Sequence, residues 1–300
     1  MAKLRILHKL VMLCLVVPLL YLTACGKKED FSRREAACNE LARLKIPFSS
    51  HEFRNRVAQG DMRIVDLLIA AGMKPETGLE VAARTGRAEI VELLLDKGAD
   101  VDYLQGNCLT PIRVAIKCGN NEIAKLLLDN GADIGHGSDS CESILLDAAA
   151  TCRADIVNLL LDRGAEVESR DGNGMTPLLR AARAGNSHVA EILLEQGANV
   201  NATTERGNTP LILASKRGYA EFVRILFNHG ADPDQRNCDG RTALMETAWA
   251  GHTETAIELL KNGANVNGVK DNIGRTALGY AKSGKHSEII ELLERPASRE

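Results

Sequence analysis

Aromatic residues are scarce in this sequence: they make up 3% of its 300 residues and include a single tryptophan. A folded core must therefore be built mainly from Leu, Ile, Val and Ala. So few aromatic rings leave little surface on which unpaired bases could stack, which counts against single-stranded nucleic acid as a ligand. The formal net charge is −3, so the chain also lacks the basic excess that attracts a phosphate backbone. We expect no nucleic acid partner.

Patterns typical of catalytic and cofactor sites are also missing from the sequence. It has no Cys-x-x-Cys pair, and the histidines beyond residue 24 are not spaced as metal ligands on a helix. Gly172 and Gly174 lead into Thr176 and Pro177 rather than into a nucleotide-binding helix. No recognisable motif places a serine or cysteine nucleophile beside a base. The sequence therefore predicts no enzyme activity, no metal site and no cofactor.

The amino terminus has the layout of a secretory signal peptide. Three basic residues come first, namely Lys3, Arg5 and Lys9. They precede an apolar segment, Leu10–Leu22, that is shorter than a membrane-spanning helix and has the length typical of a signal peptide. The alternative is a short transmembrane anchor, which Pro18 and the following Gly26 and Lys27 disfavour.

The junction after the apolar segment, Leu22-Thr23-Ala24-Cys25, closely resembles the lipobox of bacterial lipoproteins. The resemblance implies cleavage after Ala24, diacylglyceryl transfer to the Cys25 sulfur and acylation of the new amino terminus. Two or more acyl chains hold a protein stably on a membrane. Gly26 stands where an Asp would favour retention at the inner membrane. We therefore expect a lipid-anchored envelope protein that faces the periplasm, with the outer membrane favoured over the inner membrane.

A 33-residue repeat occupies most of the remaining chain. Six glycines mark it, each followed by Ala and an acidic residue or Asn: Gly98, Gly131, Gly164, Gly197, Gly230 and Gly263. A second marker is Thr-Pro-apolar, complete or varied at Thr110, Ser143, Thr176, Thr209, Thr242 and Thr276. From about Ser49 to Glu294 the chain resembles the ankyrin repeat family. The resemblance implies an all-α solenoid of stacked helix-turn-helix units with projecting β-hairpin loops.

Each marker has a structural reason. Thr accepts a free backbone N–H at the start of the first helix, and Pro suits the next position. The glycine after the second helix adopts the left-handed conformation. One repeat cannot bury its apolar face alone, so we expect a monomeric stack of about eight repeats with atypical ends. Glu258 replaces a residue that is apolar in the preceding repeats, so repeat seven is predicted to be the least stable.

These patterns define four segments. Residues 1–24 are the cleaved signal peptide, and residues 25–48 are the lipidated amino terminus with a tether, predicted from mixed charge up to about Ala37. Residues 49–294 are the ankyrin repeat domain, whose first helix is marked by the capping-box spacing of Ser49 and Glu52. Residues 295–300 are a tail.

Four cysteines fall in two adjacent repeats. Cys118 and Cys152 lie at the turns between helices, while Cys108 and Cys141 are 33 residues apart and replace a glycine found in other repeats. Because the envelope is oxidising, we predict a Cys118–Cys152 bridge and consider a Cys108–Cys141 bridge. The alternative is free thiols, since equivalent atoms of stacked repeats can lie beyond the roughly 7 Å limit for a bridge.

The repeat also suggests a binding surface. Ankyrin family members usually bind partners on a concave face made by hairpin tips and the exposed ends of the inner helices. The seventh position after the Thr marker supplies a candidate partner-binding stripe: Arg84, Lys117, Arg183, Lys216 and Trp249. An acidic protein segment would complement it, with Trp249 as a hot spot. Two alternatives stay open: the cations are solvated helix ends, or the variable hairpin tips provide specificity.

The expected function is that of a membrane-anchored, protein-binding adaptor or scaffold in the bacterial envelope. One alternative is a structural tether between the membrane and a periplasmic or cell-wall component. Another is an accessory factor for a periplasmic enzyme.

Overall fold

The computed structural model describes residues 28–104, 109–135, 143–151, 153–266 and 269–294. These residues form 17 helices, and none of them lies in a strand. No helix in these ranges is long and apolar enough to cross a membrane. The predicted signal peptide and the cysteines at 25, 108, 141 and 152 fall outside the described residues. Lipidation and both disulfides therefore stay predictions.

After α1 (Lys28–Arg43), the helices form eight consecutive pairs joined by short turns. They are α2 (Ser50–Gln59) and α3 (Met62–Ala70); α4 (Glu76–Thr85) and α5 (Ala88–Asp96); α6 (Pro111–Cys118) and α7 (Asn121–Asp129); α8 (Ile144–Ala150) and α9 (Ala154–Asp162); α10 (Pro177–Ala184) and α11 (Ser187–Glu195); α12 (Pro210–Arg217) and α13 (Ala220–Asn228); α14 (Ala243–Ala250) and α15 (Thr253–Lys261); and α16 (Ala277–Gly284) and α17 (Ser287–Glu294). The all-α repeat architecture predicted from the sequence is confirmed.

Contacts within the chain divide it into two units, Met1–Val114 with Leu126–Gly131, and Ala115–Lys125 with Ala132–Glu300. In the first unit α2 packs on α4, and α3 packs on α5. Fully buried Phe53 and Leu79 form part of its core. The Ser49 hydroxyl accepts a hydrogen bond from the backbone N–H of Glu52, so α2 begins where the sequence predicted.

The residues of α1 form a packed helix, which begins within the segment that the sequence predicted to be a tether up to about Ala37. This 16-residue helix packs against α3 and buries Ala37 and Leu41. Arg34 Nε donates to the carbonyl oxygen of Ala71, just beyond the end of α3, at 3.0 Å. The bond satisfies one of the carbonyls left free at a helix carboxyl end. Two buried side chains and one cap are enough to fix a segment that its composition suggests is flexible.

In the second unit, the first helices of the repeats pack side by side in the order α8, α10, α12, α14 and α16. The second helices pack in the same succession, from α9 to α17. Four first helices begin with a Thr whose hydroxyl accepts from the backbone N–H three residues later: Thr176, Thr209, Thr242 and Thr276. The capping role predicted for the Thr marker is confirmed at these positions.

The loops between repeats of the second unit are tight turns linked along the main chain. Asp171 N–H donates to Met175 O at 3.1 Å and closes one turn, and the turns that begin at Thr204, Asn237 and Asp271 repeat this bond. Between successive turns, Glu205 N–H donates to Asn173 O at 3.2 Å and Cys238 N–H donates to Arg206 O at 3.0 Å. The predicted hairpins therefore take the form of hydrogen-bonded turns, with no strand in the ranges that the structure covers.

Candidate functional site

The residues of the partner-binding stripe lie in the last turn of the first helix of their repeats. Arg84 belongs to the first unit, where it is exposed and pairs with Glu80 one turn earlier. Lys117, Arg183, Lys216 and Trp249 belong to the second unit. Arg183 is exposed on α10, and it has no salt-bridge partner among the described residues.

The two lysines of the stripe each face a buried carboxylate of the following repeat. Lys117 Nζ lies 3.5 Å from Asp147 Oδ1, and Lys216 Nζ lies 3.8 Å from Glu246 Oε2. Glu246 Oε2 accepts no hydrogen bond from any described residue, so Lys216 compensates it through charge alone. These lysines therefore also stabilise the fold by pairing with buried carboxylates. Both lysine side chains are nevertheless exposed, at 47% and 60%, as the alternative of solvated helix ends also requires.

Sequence reasoning missed these two acids, although the repeat contains the signal. Asp147 and Glu246 both stand four residues after the Thr marker, where the repeat between Thr209 and Thr242 has Leu213. The position is not uniformly apolar, since the repeat that begins at Thr176 has Arg180 there, but an acid buried in a packed helix requires a cation nearby. Aligning the repeats would have paired each acid with the lysine of the preceding repeat.

Trp249 is the most exposed large apolar side chain on a described helix of the second unit, with 49% of its surface accessible. Its ring meets Tyr280 of the next repeat edge to face, with the ring centroids 5.8 Å apart and the planes at 83°. His286 Nε2 donates to the Trp249 carbonyl oxygen at 3.1 Å. Both contacts come from the last repeat: Tyr280 supports the indole ring and His286 supports the backbone that carries it, while half of the side chain stays exposed.

Tyr280 is the fixed support beneath Trp249. It is 1% exposed, and its hydroxyl donates to Asp271 Oδ2. The guanidinium carbons of Arg241 and Arg275 lie 5.1 and 5.7 Å from the ring centroid, within range of cation–π attraction. Burial and the bond to Asp271 raise the pKa of the Tyr280 hydroxyl. The phenol therefore stays protonated and keeps donating.

Asp271 is the anionic partner in this arrangement. Its burial acts to raise the pKa of the carboxyl, but hydrogen bonds outweigh that effect and hold the pKa below its usual value. The Tyr280 hydroxyl and the backbone N–H of Arg275 are the main donors. A charged carboxylate here locks the turn before α16 to the aromatic support.

Arg241 connects the aromatic support to the buried acid. Its Nη1 donates to Glu246 Oε1 at 3.2 Å while its guanidinium carbon lies over Tyr280. We call the set Lys216, Arg241, Trp249, Arg275 and Tyr280 the Trp249 surface. Its three cations face the buried carboxylates of Glu246 and Asp271, and Arg241 also interacts with the exposed carboxylate of Asp239, so the charges balance (3 − 3).

The last turn adds an apolar side chain that sequence reasoning missed. Ile273 is exposed next to the hydrogen-bonded Asp271 turn. Equivalent positions in the preceding repeats are polar or charged: Asn173, Arg206 and Asp239. An exposed Ile at a position otherwise held by polar residues is the signal that the repeat alignment offers.

Neither metal chemistry nor the predicted disulfides receive support from the described part of the chain. No group of three or more His, Cys, Asp or Glu side chains is placed there to hold a metal ion. Cys118 is an exposed free cysteine, and its predicted partner Cys152 lies outside the described residues. What this region offers is an aromatic contact surface flanked by cations.

Comparison with known proteins agrees with this architecture. A sequence model of the family Ankyrin repeats (3 copies) matches residues 55–137, 145–237 and 229–298. A comparison with curated proteins gives no match.

Proposed function

We propose that this chain, which belongs to the ankyrin repeat family, is a protein-binding adaptor. A lipid on Cys25 anchors it in the bacterial envelope. Ankyrin repeat proteins typically serve as interaction scaffolds rather than enzymes. The resemblance of Leu22–Cys25 to a lipobox supports the anchor. Gly26 supports placement at the outer membrane, with the repeats in the periplasm.

The half-exposed Trp249 on its buried Tyr280 support is the observation that carries the proposal. A large aromatic ring held in one orientation loses little conformational freedom on binding, and Trp is enriched among residues that dominate binding energy. The Trp249 surface is thus the leading contact site within the second unit.

The charges around the ring indicate the kind of partner. Lys216 is largely exposed beside the ring, whereas the carboxylate of Glu246 that it shares with Arg241 is buried, so an acidic side chain next to an apolar one fits the Trp249 surface. Complementary charge fixes the register of a partner and speeds its association more than it raises affinity. The proposed partner is a protein segment that combines an acidic residue with an apolar anchor.

The test is a cross-linked pull-down from intact cells, followed by affinity measurement with the purified partner. We compare the wild-type chain with Trp249→Ala and with Leu104→Ala. Leu104 is a matched control because it is 47% exposed, apolar and outside the second unit. The expected result is a specific envelope protein that wild type and Leu104→Ala capture and Trp249→Ala loses.

Reversing the charge of Lys117 or Lys216 does not test the partner-binding stripe. Lys216→Glu would place a second carboxylate beside buried Glu246 and disturb the fold itself. Arg183→Glu is free of this problem. Equal capture by wild type, Trp249→Ala and Arg183→Glu would contradict the proposed site and move attention to the turns between repeats.

A further inference from the structure

The start of α1 lies very close in sequence to the proposed lipid. Three peptide links separate Cys25 from Lys28, the first residue of α1. At about 3.8 Å per link, these residues reach at most about 11 Å. This inference rests on the proposed anchor: with lipid on Cys25, the first turn of α1 must lie at the depth of the lipid headgroups.

The first turn of α1 carries an apolar side chain that the fold does not cover. Phe31 is 41% exposed, although a neighbouring flank of the same helix packs on α3. Because Ala37 and Leu41 are buried against α3, α1 cannot turn Phe31 inward without breaking that contact. An aromatic side chain with one face uncovered is favoured at a membrane interface.

Next to this turn, an open cleft of about 300 Å³ lies between α1 and the carboxyl ends of α3 and α5. Its lining residues are Asp30, Arg33, Arg34, Ile69, Ala70 and Lys97. Three of them are cations and one is a carboxylate. Lys97 already pairs with Asp66 at 2.6 Å, so with Asp66 counted the cleft keeps a net charge of +1 (3 − 2).

Arg33 and Arg34 have guanidinium N–H groups that are available to bind a ligand in the cleft. Arg34 uses Nε for the Ala71 carbonyl, which leaves its terminal nitrogens available for another acceptor. Arg33 is exposed and has no salt bridge within the described ranges. A guanidinium group binds phosphate oxygens with paired, charge-assisted hydrogen bonds. The cleft therefore fits the phosphate of a lipid headgroup.

We propose that the first unit docks on the membrane through the start of α1, with Phe31 inserted at the interface and Arg33 and Arg34 on lipid phosphate. The proposed occupant is an anionic phospholipid surface. The reach of the proposed anchor, the uncovered ring and the basic cleft all point to the same end of α1. The lipid and a rigid helix then fix the orientation of the first unit on the membrane together.

The test places a fluorophore at the docked position. The lipidated mature chain, with Trp249→Phe to remove the natural tryptophan, carries Phe31→Trp and is reconstituted in vesicles of phosphatidylethanolamine and phosphatidylglycerol. The expected result is an emission shift to shorter wavelength and quenching by lipids brominated on their acyl chains. The matched control is Phe48→Trp, similarly exposed in the same unit but beyond the other end of α1; it should be neither shifted nor quenched.

A charge variant tests the cleft. Arg33→Glu should reduce the quenching of the tryptophan at position 31, whereas Arg43→Glu, exposed at the far end of α1, should leave it unchanged. The intact mass reports the lipid on Cys25 in the same sample. A lipidated chain whose Trp at position 31 is unquenched overturns the docking and leaves the anchor standing. A chain without lipid mass overturns the anchor and the docking together.

Discussion

The ammonium group of Lys216 lies 3.8 Å from the carboxylate of Glu246, a side chain that is 4% exposed in the following repeat. A residue predicted to contact a partner is therefore also a counter-ion for a buried acid. Arg241 shares that acid through a hydrogen bond of 3.2 Å. The fold and the proposed binding surface depend on the same charges in repeats six and seven.

Removing Arg241 should destabilise the second unit more than removing Lys216. Arg241→Ala leaves a buried carboxylate without its hydrogen-bond donor, which costs about 1–3 kcal/mol in free energy of unfolding. The Lys216 side chain is largely exposed, so Lys216→Ala should cost less than about 1 kcal/mol. Urea unfolding followed by circular dichroism measures both. Arg183→Ala is the control and should stay within about 0.5 kcal/mol of wild type.

Trp249→Ala should weaken binding of the isolated partner by about 2 kcal/mol or more, roughly thirtyfold in Kd. The expected loss arises because a fixed aromatic ring supplies most of the apolar contact on this surface. Trp249→Phe should recover part of the affinity. Calorimetric titration measures the change, and a loss no larger than that of Leu104→Ala would rule out a hot spot at Trp249.

Acid should weaken the last repeats through Asp271. Its pKa is lower in the folded chain, so the unfolded chain binds more protons at low pH and the stability it provides is lost as pH falls through the folded value. Wild type should lose more stability than Asp271→Asn between about pH 5 and pH 3. Thermal unfolding across this range gives both slopes, and parallel slopes would show that the Asp271 charge contributes nothing.

Glu258→Leu should stabilise repeat seven by about 1 kcal/mol. The Glu258 side chain is mostly buried and lies 3.8 Å from Arg224, which also pairs with Glu221. Because Arg224 still pairs with Glu221, the substitution leaves no cation without a carboxylate. It also restores the apolar residue that the preceding repeats have at this position. The control is Glu254→Leu, at an exposed position of the same helix, which should give no gain in thermal unfolding.

The predicted disulfides are decided by counting thiols. Six cysteines follow Cys25 in the sequence. If Cys118 and Cys152 are joined, titration of the denatured, non-reduced mature chain should find four free thiols, and two if Cys108 and Cys141 are joined as well. Cys152→Ser should then expose a new thiol at Cys118. Six reactive thiols in the wild type would end the hypothesis.

The repeat markers predicted the fold well because each one acts locally. Thr176 and Thr209 cap their helices through their own backbone neighbours, and that interaction is encoded within four residues. A period of 33 residues then places equivalent helices side by side. Little beyond these local rules is needed to obtain the second unit.

The features that the sequence did not predict depend on contacts between residues that are distant in sequence. α1 reads as a mixed-charge tether because only Ala37 and Leu41 mark its buried face, and Arg34 reaches a carbonyl 37 residues away. The role of Glu246 is partly hidden, because one of its two cations, Lys216, lies in the preceding repeat. The family pattern describes the positions that the repeats share. The packing of α1 and the ion pairs of Glu246 depend on residues that differ from that pattern.

The turns of the second unit are joined through main-chain atoms, such as the bonds from Glu205 N–H to Asn173 O and from Cys238 N–H to Arg206 O. A bond between backbone groups is indifferent to the side chains beside it, with proline on the donor side as the exception. Substitutions at these tips can therefore accumulate without loosening the row, except at Gly174 and Gly207, where φ is positive and an added Cβ would come within 3.1 Å of the backbone of the next turn. The protein can drift toward new partners there while the rest of each repeat stays under selection for packing.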